Sequence, residues 1–495
     1  MYRKSLCTDT GKQRYACKVC GHRTVNPATE PQPPQFTDTL PSAQRYVVTA
    51  AQNATGIHDP FFRNLLAYCR KFNAQLVVIP LRYKNPTSTW TAELESHNWW
   101  HSDLVPYLYD GRLEITPRLK ILADIKTQPT AVRPLSGLQS VSGGSSAIIG
   151  HTKVELETVP TPQHSLPKIM TTTGAVTVAN YTDTKAGRKG EFHHTLGATV
   201  VEVGENKHHI RQIIACEDGS FIDLDCSVAN GKTKKAPPAA ALIMGDTHVK
   251  FACPKVESAT FSQSGIVEAL QPEALVWHDL LDQYARNHHH RGDPFIAYAK
   301  MDMGVGSVES EVYDAAEYVN SHGKGRKNII VGSNHNDALG RWIKESDWRG
   351  DPLNAQFYLE TAAYMVRNTK MDTSGAVVPD PFAYWMHKWV AVENVILGRT
   401  EPYTVHGIAL QNHGDKGANG ARGSRQVFSR VGVKSVIGHS HSPGIMDGCY
   451  QTGTSTRLTL EYNSGGLSSW LNTHCVIYAN GKRSLINIID GEWRL

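Results

Sequence analysis

The sequence predicts a mixed α/β (α+β) protein of more than one domain, with its chemistry concentrated in the C-terminal half. Three observations lead there. The chain has 495 residues, too many for one compact core. Strand-like and helix-like segments alternate along most of it. In the C-terminal half, apolar runs end abruptly in clusters of His, Asp and Asn.

Composition narrows the class. Hydrophobic residues are 40% and charged residues 20%, the balance of a soluble globular chain and not of a disordered one. The formal net charge of +5 permits a polyanionic partner without requiring one. The start, MYRKSLCTDTGK, lacks the apolar core of a signal peptide. No stretch approaches the roughly 18 to 20 apolar residues of a membrane span. Nine cysteines, scattered and odd in number, suit a reducing cytoplasm better than a disulfide framework.

Four segments follow in order. Residues 1–26 carry Cys7, Cys17 and Cys20, with Cys17-Lys-Val-Cys20-Gly21 spaced as in a zinc knuckle and His22 as a fourth donor. Such a segment needs its structural zinc to fold; free cysteines are the alternative reading. Residues 27–43 are proline-rich and read as a linker. Residues 44–236 form an N-terminal α/β region. Within it, RYVVTAAQ is a strand, Asp59 is expected to cap a helix with Pro60 at its first position, and AQLVVIP is a second strand, together a βαβ unit. Short strands and long loops follow, with SVSGGSS as a break. Residues 237–495 are the chemical domain. VESEVYDAAEYVNSHG, AQFYLETAAYMVRNT and FAYWMHKWVAVENVIL are expected to be helices.

Five places in this domain share one design, an apolar strand running into a polar loop. They are ALIMGDTH (Asp246, His248), ALVWHDLLD (Asp279, Asp282), NIIVGSNHND (Asn334, His335, Asp337), GIALQNHGD (His413) and SVIGHSH (His439, His441). Loops at the carboxyl ends of strands are where α/β proteins build their sites. Asp282 reads as a first-turn helix charge, and His288, His289, His290 and His406 as loop or surface residues. Lys416, Arg422 and Arg425 form either a solvated basic loop or a set of phosphate contacts.

The order D-x-H, D-x-x-D, G-N-H-[D/E], H and G-H-x-H resembles the calcineurin-like metallophosphoesterases over residues 240–495. The resemblance implies a two-sheet sandwich flanked by helices, holding two divalent transition-metal ions (Mn, with Fe, Zn or Mg as alternatives). It implies that Asp246, His248 and His441 bind one metal, that Asp279 bridges, and that Asn334, His413 and His439 complete the other. It implies His335 as the catalytic residue over the substrate, oriented by Asp337. The pattern departs from the family in two places: His278 stands where a glycine is usual before the bridging residue, and the acidic residue after His335 comes one place late. Asp293, in a later Gly-Asp pair, is the weaker candidate for the bridge because no apolar strand precedes it.

The whole layout, with stretches such as NHHHRGDPF, also resembles the first-step-transfer, host-DNA-degrading nucleases of T5-like bacteriophages. That resemblance implies a deoxyribonuclease acting on host DNA in the infected bacterial cytoplasm. It implies a homo-oligomer, with an accessory phage or host DNA-binding protein as a further partner. Two other readings stay open, a phosphatase or nucleotidase acting on small phosphoesters and a DNA-transfer scaffold whose phosphoesterase core is vestigial.

Overall fold

The computed structural model describes residues 2–6, 13–16, 23–24, 40–83, 99–205, 207–290 and 292–494. The expected zinc ligands Cys7, Cys17, Cys20 and His22 lie outside these residues. Among the described residues no helix is long and apolar enough to cross a membrane.

The chain is a mixed α/β fold of several sheets. The predicted βαβ unit is present: β1 (Arg45–Gln52) and β2 (Gln75–Leu81) pair in parallel through α1 (Asp59–Phe72). Its cap is one residue earlier than expected. His58 is the N-cap, and its Nδ1 accepts the Phe61 N–H at 3.2 Å, with Pro60 in the first turn. β3 (Gly197–Val203) and β4 (His208–Ile214) complete a four-stranded sheet in the order β4-β3-β1-β2. A buried ion network ties this sheet to its neighbours. Arg211 donates to Asp223 at 2.6 Å and to Glu202 at 2.7 Å, and the Tyr68 hydroxyl of α1 donates to Asp223 at 2.6 Å.

The functional half is built on a six-stranded sheet. β5 (Ala241–Ile243), β6 (Ala274–Trp277), β7 (Lys327–Val331) and β8 (Asn394–Leu397) run parallel; β10 (Thr473–Ile477) pairs antiparallel with β5, and β11 (Arg483–Asn487) with β10. Both faces are buried, so these strands read as continuous apolar runs. Alternation sends Ile243, Val276, Ile329 and Ile477 to one core and Leu242, Leu275, Ile330 and Val476 to the other. The second core is filled by the helices Val308–His322, Asp337–Glu345, Ala355–Asn368 and Pro381–Trp389.

The first core is shared with strands from both sides of the expected boundary at 236–237. One ten-stranded sheet combines strands between Arg112 and Thr172 with strands between Thr404 and Gln451, among them β9 (Ser435–Ile437). The N-terminal region therefore contributes directly to the layer behind the C-terminal loops.

Two of the three expected helices match closely: Val308–His322 ends on Gly323, and the second spans Ala355–Asn368. The third stops early. Its helix is Pro381–Trp389, and the β-branched residues of VENVIL form β8 at the sheet edge instead.

Two buried histidines, His474 and His151, predict a fold that loses stability in acid. The Gly245 N–H donates to His474 Nδ1 at 2.9 Å. The ring proton is therefore on Nε2, which faces Thr260 Oγ1 at 2.9 Å, and that hydroxyl donates on to Val256 O. Burial pushes the imidazoles of His474 and His151 down to about 4 from the usual 6.5. A folded imidazole that binds its proton less tightly than the unfolded one stabilises the fold fully above pH 6.5, and that stability is lost as the pH falls toward 4. At about 1.4 kcal/mol per pKa unit, each is worth on the order of 3 kcal/mol. Urea midpoints measured from pH 7.5 to 4.5 should fall, and His474→Gln should be less stable at pH 7.5 with a shallower decline. An unchanged slope in the variant would remove His474 from the explanation.

Candidate metal centre

Each of the five predicted strand ends delivers its loop to one place. The loop after β5 runs beside the loop after β6, extending their parallel pairing. Thr247 N–H donates to His278 O at 3.0 Å, His248 N–H to Asp279 O at 2.6 Å, and Val249 N–H to Leu280 O at 3.0 Å. The third loop is tied to the second by Asn336, whose Oδ1 accepts the Leu281 N–H at 3.2 Å. The fourth and fifth are joined where the Gly438 N–H donates to His413 O at 2.7 Å. His439 N–H then donates to Asp246 Oδ2 at 2.7 Å.

This convergence requires unusual backbone. His248, Asp279, His439 and His441 all have φ between 40° and 77°, a region that non-glycine residues enter at a cost. Four such residues in one cluster mark a site where strain is held by the surrounding hydrogen bonds. Gly438 is required for a different reason: a Cβ there would collide with the Asp246 carboxylate.

The side chains form overlapping sets of close donor atoms. One contains Asp246, His248 and His441, with His248 Nε2 3.1 Å from His441 Nε2 and His441 Nε2 3.2 Å from Asp246 Oδ2. A second contains Asp246, His278 and His413, with 3.2 Å between the two imidazole Nδ1 atoms. A third contains His248, Asp279 and His335. Asp279 Oδ2 lies 2.9 Å from His413 Nε2 and 3.7 Å from His248 Nε2, between the first two sets. These groups could hold metal ions.

Burial makes the arrangement costly without a cation. Asp246 and His248 are fully buried and Asp279 nearly so. Asp246 Oδ1, Asp279 Oδ1, Asp282 Oδ1, His278 Nε2, His413 Nε2 and His441 Nδ1 are buried without a well-aligned hydrogen bond. Burial alone would raise the Asp246 and Asp279 carboxyls, but His413 first, with His441 at Asp246 and His335 at Asp279, holds both below the usual carboxylate range. Burial pulls His413 down, yet Asp279 and Asp246 outweigh it and lift the imidazole to about 9. Burial, and then His413, push His278 down to about 4. The protein thus gathers paired carboxylates and several imidazoles in one buried cluster, a set of donors that could hold metal ions.

Comparison with known proteins places the chain. No family model and no solved structure matches. Over 467 residues the chain is 30% identical to Protein A1 of Escherichia phage T5, covering 91% of this chain and 83% of that protein.

The chain belongs to the family of phage T5 Protein A1.

Within this A1-family chain, Asp246, His248, Asp279, His413 and His441 stand together, and the His439 ring lies 5.4 Å from that of His413. His335 is beside them, its ring 4.5 Å from His248, and it also lines a cleft of about 520 Å³ with Asn334, Arg341, Trp342 and Tyr462. Asn334 faces that cleft with its Oδ1 unpartnered.

Other residues differ from expectation. Asp337 does not orient His335. Its carboxylate accepts from Arg399 at 2.7 Å and lies 3.5 Å from Lys416, because the extra residue in the loop puts it in the first turn of the following helix. The His335 partner is Asp282, through its carbonyl at 3.2 Å and its carboxylate at 3.6 Å. Asp282 itself is not a helix-end charge. It is buried, with Oδ1 3.2 Å from His248 Nδ1. Arg425 does not join Lys416 and Arg422 on the exposed loop; its Nη1 is buried in the space left by Gly444. His288, His289 and His290 form a short turn along the cleft, and His288 Nε2 lies 3.0 Å from Arg341 Nη1.

Two site residues were missed as donors, His278 and Asp282. The available signal was their spacing from Asp279: an imidazole directly before it at the strand end and a carboxylate three residues after.

Asp293 caps the helix Pro294–Asp302, its Oδ1 accepting from Phe295 N–H at 2.9 Å and Ile296 N–H at 3.1 Å. Asp279→Asn should therefore weaken metal uptake by the purified chain by at least tenfold, whereas Asp293→Asn should change it less than twofold, with an altered cap as its only cost. Titration with Mn²⁺ followed by calorimetry reads both, and the reverse order would move the shared carboxylate away from Asp279.

Proposed function

We propose that this chain is a two-metal phosphodiesterase that hydrolyses DNA, acting in the infected bacterial cytoplasm as a homo-oligomer. The observation that carries the reading is the pair of donor sets sharing Asp246 and spanned by Asp279, buried with unpartnered polar atoms and opening onto a cleft. The mixed nitrogen and oxygen donors suit Mn²⁺, with Fe, Zn or Mg as alternatives. Asp246, His248 and His441 would hold one ion; His413, His439 and Asn334 would hold the other, and Asp279 would be shared. His278 and Asp282 are added candidates. When bound, two such cations supply Lewis acidity toward water and toward the phosphate oxygens.

The remaining work falls to the protein. His335 Nδ1 faces the Asp282 carbonyl at 3.2 Å, and a carbonyl can only accept, so Nδ1 carries hydrogen. In the imidazolium form Nε2 carries the second proton and would pass it to the leaving oxygen, leaving the neutral ring with its hydrogen on Nδ1. Asp282 fixes the ring for this task. Lys416 and Arg422, exposed on the loop after His413, are placed to meet a phosphate backbone. The relative in Escherichia phage T5 supports reading the chain as a phage protein acting at infection, with an accessory phage or host DNA-binding protein as a further partner. The near-complete donor set argues against a scaffold with a vestigial core.

His335→Ala should leave metal content unchanged while lowering kcat on DNA by about 10²- to 10⁴-fold, the usual worth of a general acid. The loss should shrink on a nitrophenyl phosphodiester, whose leaving oxygen needs no proton. Loss of bound metal in His335→Ala would make the residue a ligand instead.

The cleft volume of about 520 Å³ would also admit a small phosphoester. Salt separates the two substrates. Each phosphate neutralised by a cation releases counterion, so DNA hydrolysis should fall steeply between 50 and 200 mM salt, by about 10³-fold if six phosphates are contacted. Nitrophenyl diester hydrolysis should change little over that range. Equal sensitivity would favour the phosphatase or nucleotidase reading.

A further inference from the structure

A second cleft, of about 690 Å³, opens at the other end of the same strands. The register fixes its position. β9 begins after Lys434 and ends before Gly438 and His439, so Lys434 and the metal centre occupy opposite ends. β10 pairs Ile477 with Ala241, at the start of the strand that leads to Asp246, and the turn beyond Ile477 carries Lys482 and leads into Arg483, the first residue of β11.

This cleft gathers three cations, Lys434, Lys482 and Arg483, and its lining also carries the carboxylates of Glu217 and Asp447. Arg483 is only 7% exposed and is held in place. Its Nη1 donates to Ser435 O at 2.8 Å and Gly448 O at 3.0 Å, and its guanidinium lies 4.1 Å over the Tyr450 ring. Its Nε and Nη2 have no partner among the described residues, so a fixed guanidinium edge is left over. Lys434 and Lys482 line the same cleft, and neither pairs with a carboxylate among the described residues. Burial pushes the Lys434 ammonium down, and Lys482 and Arg483 push it the same way. Asp447, in the same lining, is already taken by Lys153 at 2.6 Å, Arg133 at 3.1 Å and His193 at 3.6 Å. At the rim stands Phe192, 83% exposed, a ring that packs on little of its own chain.

Three cations outnumber the one carboxylate, Glu217, that Lys153, Arg133 and His193 do not take up, and they share the cleft with a bare aromatic ring. That combination fits a nucleotide: the cations take a phosphate and the ring takes a base. We propose that this cleft binds a phosphate-bearing nucleotide unit, with the phosphate on Lys434, Lys482 and Arg483 and the base against Phe192. An acidic peptide would use the cations but not the ring. The nucleotide comes either from a DNA strand or from a free mononucleotide.

The test is binding, so it is independent of hydrolysis at the metal centre. Anisotropy of a short fluorescent phosphorothioate-linked single strand, which resists cleavage, is measured on the full metal-loaded chain at stepped salt. The Lys434→Gln/Lys482→Gln double variant should bind about tenfold more weakly, and its salt slope should be shallower by about 1.4, the loss of two phosphate contacts on a single strand. Phe192→Ala should weaken binding with an unchanged slope. Both should keep wild-type hydrolysis of the nitrophenyl diester and wild-type thermal midpoints, which shows that the centre and the fold are intact. Displacement of the strand by millimolar thymidine monophosphate assigns the cleft to free nucleotides; failure to displace assigns it to DNA. Wild-type affinity and slope in the variants overturn the proposal, as does polyglutamate competing as well as the oligonucleotide.

Discussion

Asp246 and Asp279 are buried close together, and their negative charge is the constraint around which the rest of the site is organised. Two carboxylates cannot stay ionised in a dry interior without compensation. Here the compensation comes from imidazoles drawn from three different strand ends, His248, His413 and His441, packed at 2.9 to 3.7 Å from them. An imidazole raised to about 9 beside these carboxylates occupies the electrostatic role of a cation. A metal ion bound here would displace such a proton, which would couple the site to pH as well as to folding.

That constraint explains features that otherwise look unrelated. The positive φ values at His248, Asp279, His439 and His441 all fall on residues that meet in this cluster. Gly438 leaves room for the Asp246 carboxylate, and the His439 N–H caps its second oxygen. His474 anchors the Gly245 N–H from behind, fixing the turn that presents Asp246. Beneath the loops, the six-stranded sheet is sealed on one face by helices and on the other by a sheet that includes N-terminal strands. The N-terminal region is thus part of the platform, and trimming it at residue 236 would open that core.

Much of this was legible in the sequence because the strand-to-loop transitions are sharp. ALIM, ALVW, NIIV and SVI change to polar residues within one or two positions, and each gives a strand ending where the polar loop begins. The preference for Asp279 over Asp293 had the same basis, and Asp293 is a helix cap. What could not be read depends on neighbours distant in the chain. Arg399 captures Asp337 from 62 residues away, and His248 captures Asp282, so neither residue's local pattern revealed its partner. Arg425 sits in a basic run, yet its guanidinium turns into the space beside Gly444. VENVIL continued an apolar helical pattern, but a free edge beside β7 and β-branched side chains made it a strand. The pairing of strands between 112 and 172 with strands after 404 has no local signature at all.

The account stands on the claim that the carboxylate pair and its imidazoles hold two ions. Elemental analysis of the chain, stripped and then reconstituted with Mn²⁺ alone, measures this most directly. Two Mn²⁺ per chain are predicted, falling to one or none in Asp279→Asn while His335→Ala retains both. Reconstituted protein that holds no Mn²⁺, or that holds it equally well without Asp279, would contradict the account.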